Sequence, residues 1–339
     1  MLRQPLIFLG GVVLTTLFFV GRTMLDSPPD SVFASSEASK AANEMRRQMA
    51  PHAVKLMAGD IDDRRALLND VFFSPRIAEA RALYPVREFV MPVGSVYTEV
   101  FEPADGVPKD NANRVLINLH GGAFMFGART EGQLESIPVA NVAGMKVVSV
   151  DYRQGPEHRF PAASEDVATV YRHLLKDHEP EQIGIFGCSA GGILTAQAVA
   201  WFNAHNLPQP GAVGIFCAGA GIAFGGDSAV ISTAFGTNFA GDREMAYFEG
   251  TSLNDPLVSP LEHPRLMAQF PPTLVITSTR DLAMSAGLAT HQRLVEQGVK
   301  SELHVYDGLN HYWYADTGLP ESRQAFKVMA EYFDRHLAR

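Results

Sequence analysis

A mostly parallel α/β fold, with one central sheet covered by helices on both faces, is what this 339-residue chain predicts, and three observations carry it. Short, largely apolar runs recur at Val115–Leu119, Val147–Val150, Ile183–Phe186, Val213–Cys217, Leu274–Thr277 and Leu303–Tyr306, each too short for a helix. Between them the period changes: Val167, Val170, Tyr171, Leu174 and Leu175 follow helical spacing, and Phe326, Met329, Phe333 and Leu337 repeat it near the carboxyl end. Strands without strict polar alternation are buried on both faces, which a parallel sheet between helices provides. The composition agrees, since 46% hydrophobic residues supply a sizeable core.

The elements follow in order. Residues 4–21, between Arg3 and Arg22, carry no charge and include Leu6-Ile7-Phe8-Leu9. Their length is borderline between a short membrane anchor, the preferred reading for segment 1–25, and a cleaved signal, with a buried helix as the third option. Either of the first two places the catalytic domain outside the cytoplasm, anchored or exported. Residues 26–42, rich in Ser, Pro, Ala and acid, read as a tether. Residues 43–85 are dense in helix formers, with Met45, Met49, Val54, Leu56, Met57, Leu67 and Leu68 expected to face inward; they read as a helical cap, or else as ordinary packing helices. A hairpin is expected from Phe89–Val93 and Val96–Val100 around Gly94-Ser95. It opens an α/β domain over 86–339, in which 225–264 lacks a continuous pattern and separates two strands by more than an ordinary connection, so a second cap segment is expected there.

Several function classes fall away. With 28 Lys and Arg against 37 Asp and Glu, the formal charge is −9 and no basic run exists to hold nucleic acid. Two cysteines, Cys188 and Cys217, make no disulfide framework, and no Cys/His cluster has zinc spacing; both read as buried thiols, and neither metal nor cofactor is called for.

The chemistry lies at strand ends, where open α/β sheets gather reactive loops. Strand Ile183–Phe186 runs into Gly187-Cys188-Ser189-Ala190-Gly191-Gly192 and an Ala-rich helical run. A G-x-S-x-G match alone is weak; after a strand and before a helix it is a nucleophile elbow of the α/β-hydrolase type, with Ser189 at the tip. Cys188 precedes the tip and points elsewhere, so it is not expected to attack. Upstream, Val115–Leu119 leads into His120-Gly121-Gly122-Ala123-Phe124, where glycines let backbone N–H groups reach a substrate carbonyl; Gly121 and Gly122, with Ala190, are the expected oxyanion donors. His120 reads as structural.

A serine needs a base, and the base needs an orienting acid. In this elbow context the chain order is serine, acid, histidine. Among His291, His304, His311 and His336, only His311 sits in a loop, 307–311, directly after the final strand, so it is the expected base. Asp281, in the loop after the buried strand 271–277, is the expected acid, with Asp307 as runner-up.

The chain resembles the bacterial branch of the hormone-sensitive lipase family. The resemblance is carried by His120-Gly121-Gly122-Ala123-Phe124, Asp151-Tyr152-Arg153, Pro156-Glu157-His158-Arg159-Phe160-Pro161-Ala162-Ala163, Asp166, the Ser189 elbow, Asp281 and His311. It implies a helical cap, the triad Ser189, Asp281 and His311, the oxyanion donors Gly121, Gly122 and Ala190, and no cofactor. It further implies a small-molecule ester of short to medium acyl chain, with Phe124 and Phe126 shaping an apolar pocket. The chain departs from the family in having Cys188 before the serine, where Asp or Thr is usual, and Leu282-Ala283 after the acid, where Pro-Leu is frequent. Within enzymes, lactone or amide hydrolysis by the same apparatus is the alternative. From a different class, a non-catalytic ligand-binding protein on the same fold is the rival, although the retained His311 argues against it.

Overall fold

The computed structural model describes residues 30–222, 225–234 and 245–339; the expected anchor, 4–21, lies outside them. Among the described residues no helix is long and apolar enough to cross a membrane. In chain order the elements are α1 (Ser36–Met49), α2 (Ala53–Ala58), α3 (Ile61–Leu68), α4 (Ser74–Leu83), β1 (Val86–Val90), β2 (Tyr97–Pro103), β3 (Val115–Leu119), α5 (Glu131–Ala143), β4 (Lys146–Asp151) and α6 (Ala162–Leu174). There follow β5 (Ile183–Cys188), α7 (Ala190–Ala204), β6 (Ala212–Phe216), α8 (Asp227–Ala234), α9 (Pro264–Met267), β7 (Thr273–Arg280), α10 (Met284–Glu296), β8 (Ser301–Asn310) and α11 (Pro320–His336).

The eight strands form one sheet in the order β1-β2-β4-β3-β5-β6-β7-β8, with β1–β2 and β2–β4 antiparallel and the rest parallel. Alternation along each strand divides the core. Val115, Ile117, Ile185 and Ile215 face α6 and α7, where Tyr171 stacks on Phe202 at 4.3 Å. Leu116, Phe186, Phe216 and Ile276 face α4, α5 and α11, against Ile77, Leu134, Ile137, Phe326 and Phe333. Burial at about 25 cal/mol per Å² of apolar area on both faces holds the strands in register, because a one-residue slip would exchange the two sets.

Four expectations need correction. The tether does not run to residue 42: α1 starts at Ser36, with the Ser35 hydroxyl accepting the Ala38 N–H and Ser35 itself tied to Glu321. A good N-cap outweighs the polar composition of that stretch. Val54 does not face inward but is 79% exposed. The hairpin strands lie further from their turn than expected, with Gly94 at φ 61° and a Val93–Val96 bridge closing it. Lastly, β8 does not stop at Tyr306: a bulge against β7 between Ser278 and Arg280 lets it continue to Asn310.

The helices of 43–85 divide in two. In α4, Ile77 and Ala80 are buried in the core beneath the sheet, as in an ordinary packing helix. By contrast α3 buries no residue, and its Arg65 reaches the loops beside the sheet's carboxyl edge, bonding to Met125 O (2.8 Å), Gly155 O (2.8 Å) and Glu157 (2.6 Å). Of 225–264, α8 and a return segment are described; Tyr247 and Phe248 in that return pack into the core beside Phe124 and Phe160.

Candidate active site

Strand β5 ends at Cys188 and α7 begins at Ala190, so Ser189 alone makes the turn, at φ 57° and ψ −122°. A non-glycine residue there costs roughly 1–3 kcal/mol, and persists because its surroundings over-determine it. Gly187 and Gly191 permit the turn: a Cβ on either would strike the Leu119 carbonyl at the end of β3. The Ser189 N–H donates to Phe216 O at 2.9 Å, tying the tip to β6. Its side chain is partly exposed between the buried Cys188 and Ala190.

Next along the sheet edge, Asp281 follows β7 and is fully buried. Its Oδ1 accepts the Ala283 N–H at 2.8 Å and meets His311 Nδ1 at 2.6 Å, while Oδ2 accepts the Thr277 hydroxyl at 3.1 Å. The runner-up carboxylate is elsewhere: Asp307 is exposed and accepts from Ser31 and Thr279. His311 follows β8 directly, and its side chain is 21% exposed. His291 bonds Ser301 and His336 lies beside Glu302, so neither approaches the Asp281 carboxylate. Asp281 and His311 are therefore brought together. Ser189 Oγ makes no hydrogen bond to His311 in this structure, although unliganded sites often tighten only around substrate. Cys217, a free thiol after β6, lies between Cys188 and the Tyr312 backbone N–H beside the histidine loop.

The loop after β3 faces the elbow from the other side. Gly122 has φ 86°, and a Cβ on Gly121 would meet the Glu131 carboxylate and, at 3.0 Å, Cys188 O. Among the described residues the N–H groups of Gly121, Gly122 and Ala190 have no acceptor, and Ala190 begins α7, where the helix dipole favours negative charge. Tyr152 braces the loop, its phenol donating to His120 O at 2.7 Å and Gly121 O at 3.3 Å. His120 is buried, stacks on Tyr152 at 4.2 Å and lies 3.9 Å from Asp151; burial lowers its proton affinity, as suits a neutral structural ring. Arg153 to Asp166 and Glu157 to Arg65 brace the neighbouring loops.

The pocket expectation is corrected at Phe124. Positive φ at Ala123 and Phe124 turns the ring into the core, 0% exposed, stacked on Tyr247 at 4.9 Å and edge-on to Phe248 at 5.0 Å, so it forms no open wall. Phe126 keeps 9% exposure beneath the Arg64 guanidinium, 5.0 Å from its ring centre.

Sequence reasoning missed a buried polar layer beneath these loops. Glu131 and Glu135 sit on α5 one turn apart, both buried, with no cation paired to either among the described residues. Glu135 accepts from Asn118 Nδ2 (2.7 Å) and Tyr314 Oη (2.8 Å), and the Cys188 N–H lies near enough to favour its carboxylate form. Burial pushes its carboxyl up to about 7 against the pull of those three groups. Burial, then repulsion from Glu135, holds the Glu131 carboxyl well above the usual range. Cys188, whose thiol burial and Cys217 push up, points into this layer and away from Ser189. The one signal available was the i, i+4 carboxylate spacing, which ordinarily marks a solvated face.

Comparison with known proteins places this geometry. Residues 116–315 match a family model described as α/β hydrolase fold. An acetyl-hydrolase of Streptomyces hygroscopicus is 30% identical over 260 residues, covering 75% of this chain and 86% of the relative. Among solved structures, an esterase E25 superposes with a TM-score of 0.77 at 32% identity, covering 92% of this chain and 99% of that one. An esterase described as belonging to the bacterial hormone-sensitive lipase family gives 0.71 at 25% identity, covering 87% and 98%. The sheet, its carboxyl-edge loops and these matches agree that the chain is an esterase, a carboxylic ester hydrolase acting on small-molecule esters, and it belongs to the bacterial hormone-sensitive lipase family of the α/β-hydrolase fold.

Proposed function

We propose that the protein hydrolyses short to medium acyl esters through an acyl-enzyme on Ser189. The observation that carries this reading is the 2.6 Å pair of His311 and the fully buried Asp281, after β7 and β8 of the same parallel set whose β5 ends in the strained serine turn. Asp281 fixes the imidazole with Nδ1 occupied, leaving Nε2 to take the Ser189 proton as Oγ adds to the ester carbonyl. The N–H groups of Gly121, Gly122 and Ala190 receive the oxyanion, a contact worth about 3–4 kcal/mol per donor. The tetrahedral adduct collapses as His311 protonates the departing alcohol; water then adds to the acyl-enzyme, giving its proton to His311, and the acid leaves with Ser189 restored. Short acyl preference is supported by the relative named as an acetyl-hydrolase. Helices α1–α3 and α8 are proposed to cap the site with Phe126 in the pocket wall, supported by the bonds of Arg65 to the loops at its mouth.

Turnover of p-nitrophenyl esters from acetate to decanoate, with fluorophosphonate labelling mapped to Ser189, tests the reading. Turnover should be greatest at acetate to hexanoate. A folded sample with neither labelling nor turnover overturns it in favour of ligand binding, and a preference for lactones or amides moves the substrate class. Residues 4–21 are further proposed to hold the protein at a membrane, its catalytic domain outside the cytoplasm, on the strength of their uncharged sequence. Recovery in the soluble fraction before and after deletion alike would refute that.

A further inference from the structure

Glu135 is a buried carboxylate that the proposed reaction does not use and that no cation neutralises among the described residues. Stability alone favours an apolar or amide side chain at such a place, since an ion taken from water without a counter-ion is costly. The three groups that favour its carboxylate form, two of them by hydrogen bonds, come from three parts of the site. Asn118 lies on β3, directly before the oxyanion loop. The Cys188 N–H precedes the serine. Tyr314 stands in the turn Trp313–Ala315, three residues after His311. One turn earlier on α5, the Glu131 backbone carbonyl accepts the Tyr312 hydroxyl at 3.4 Å.

We propose that Glu135 is a positioning residue for acyl transfer, fixing the serine elbow and the histidine loop relative to one another, and that it does so only as the carboxylate. The inference rests on the Ser189–His311 reading above. An ionised carboxylate accepts from Asn118 and Tyr314 at once and is favoured by the nearby Cys188 N–H. Protonation turns one oxygen into a donor: Asn118 Oδ1 already accepts the Ser149 hydroxyl at 3.2 Å, and Tyr314 can accept that proton only by giving up its own donation to Glu135. The elbow and the histidine loop then lose their common anchor. The titratable groups facing Glu135 are Glu131 on its own helix, Tyr152 after β4, Cys188 and Cys217 at the ends of β5 and β6, and Tyr312 and Tyr314 after β8. Burial favours the protonated form of all six, leaving Glu135 as the member of the layer that changes charge near neutrality.

The test is the pH profile of kcat for p-nitrophenyl butyrate with the full chain and Glu135→Gln. Wild type should lose activity on the acid side more steeply than Glu135→Gln, by about the one extra proton that Glu135 takes up. Glu135→Gln should show a one-proton limb, with kcat lowered about tenfold or more and KM within about twofold, as expected for an interaction realised in the transition state. Tyr314→Phe, which keeps the ring and removes one donor, should lower kcat about fivefold, roughly 1 kcal/mol by the same relation. Wild-type kcat and an unchanged limb in Glu135→Gln would overturn the proposal. Should that variant lack a cooperative melt, an unchanged kcat in Tyr314→Phe would overturn it instead. A wild-type enzyme that neither turns over nor is labelled at Ser189 refutes the acyl-enzyme reading; an active, labelled enzyme indifferent to both substitutions refutes only the role of Glu135.

Discussion

Ser189 is held at φ 57° by neighbours that have no room to yield, and the proposed reactivity of its hydroxyl would depend on that turn. Ser189→Ala should remove turnover to background, while Cys188→Ser should keep kcat within a few-fold, because the thiol is buried on the opposite side of the strand from the tip. Steady-state rates of both variants decide this, and the reverse pattern would make Cys188 the nucleophile. Asp281→Asn should cost about 10³–10⁴ in kcat with little change in KM, through loss of the imidazole's orienting charge. Gly121→Ala inserts a methyl group between the Glu131 carboxylate and Cys188 O. It should lower kcat about 10²-fold by displacing one oxyanion donor; an unchanged kcat would show that the Gly121 amide does not serve the oxyanion. At this scale the sharp turn at Ser189 and the placing of His311 directly after the last strand were legible, because small residues flanking a serine and a loop after an apolar run mark them. Asp281 was legible by its place after a buried strand. Glu135 was not, since a carboxylate four residues from another on a helix looks solvated until the packing around it is known.

Among the elements, α5 and α3 carry the consequences. The Glu135 carboxyl rises from the ordinary 4.5 to about 7 on folding, so the folded protein binds more protons than the unfolded chain between those limits. Stability is then fully present below pH about 4.5 and is lost as pH rises through about 7, by about 3 kcal/mol from this group alone. Glu135→Gln should therefore melt higher than wild type at pH 8 and show a flatter dependence between pH 5 and 8, even as kcat falls. A variant less stable than wild type at pH 8 would mean that the hydrogen bonds from Asn118 and Tyr314 outweigh the cost of the buried charge. On α3, Arg65→Ala removes the ion pairs to Glu157 and Asp62 and two bonds to loop carbonyls. Because Glu157 is half exposed, the stability loss should be about 1 kcal/mol. The larger effect should be a several-fold rise in KM and faster proteolysis within 43–73, measured by kinetics and timed digestion; an unchanged KM would separate α3 from the pocket. Helix content here was legible from composition, but the division between α4 in the core and α3 at the mouth was not. Both present similar sequences, and only their neighbours differ.

Across the whole molecule, the alternation of apolar runs and helical periods was enough for a parallel sheet covered on both faces, because few other arrangements bury both kinds of segment. It was enough also for a site at the carboxyl edge, where every strand of the parallel set delivers a loop. The ends of elements were less legible. α1 began within the expected tether, β8 ran four residues past its expected end, and Phe124 turned inward instead of lining a pocket. A cap, a bulge and a positive φ are local choices settled by partners distant in sequence. By itself the sequence determined the fold class and the esterase chemistry, because those depend on residue type and chain order. Tertiary structure alone decided that Asp281 and not Asp307 meets His311, that Phe124 belongs to the core, and that Glu135 lies uncompensated beneath the elbow. Distance and burial are properties of chain segments brought together, and they appear only once the strands stand side by side.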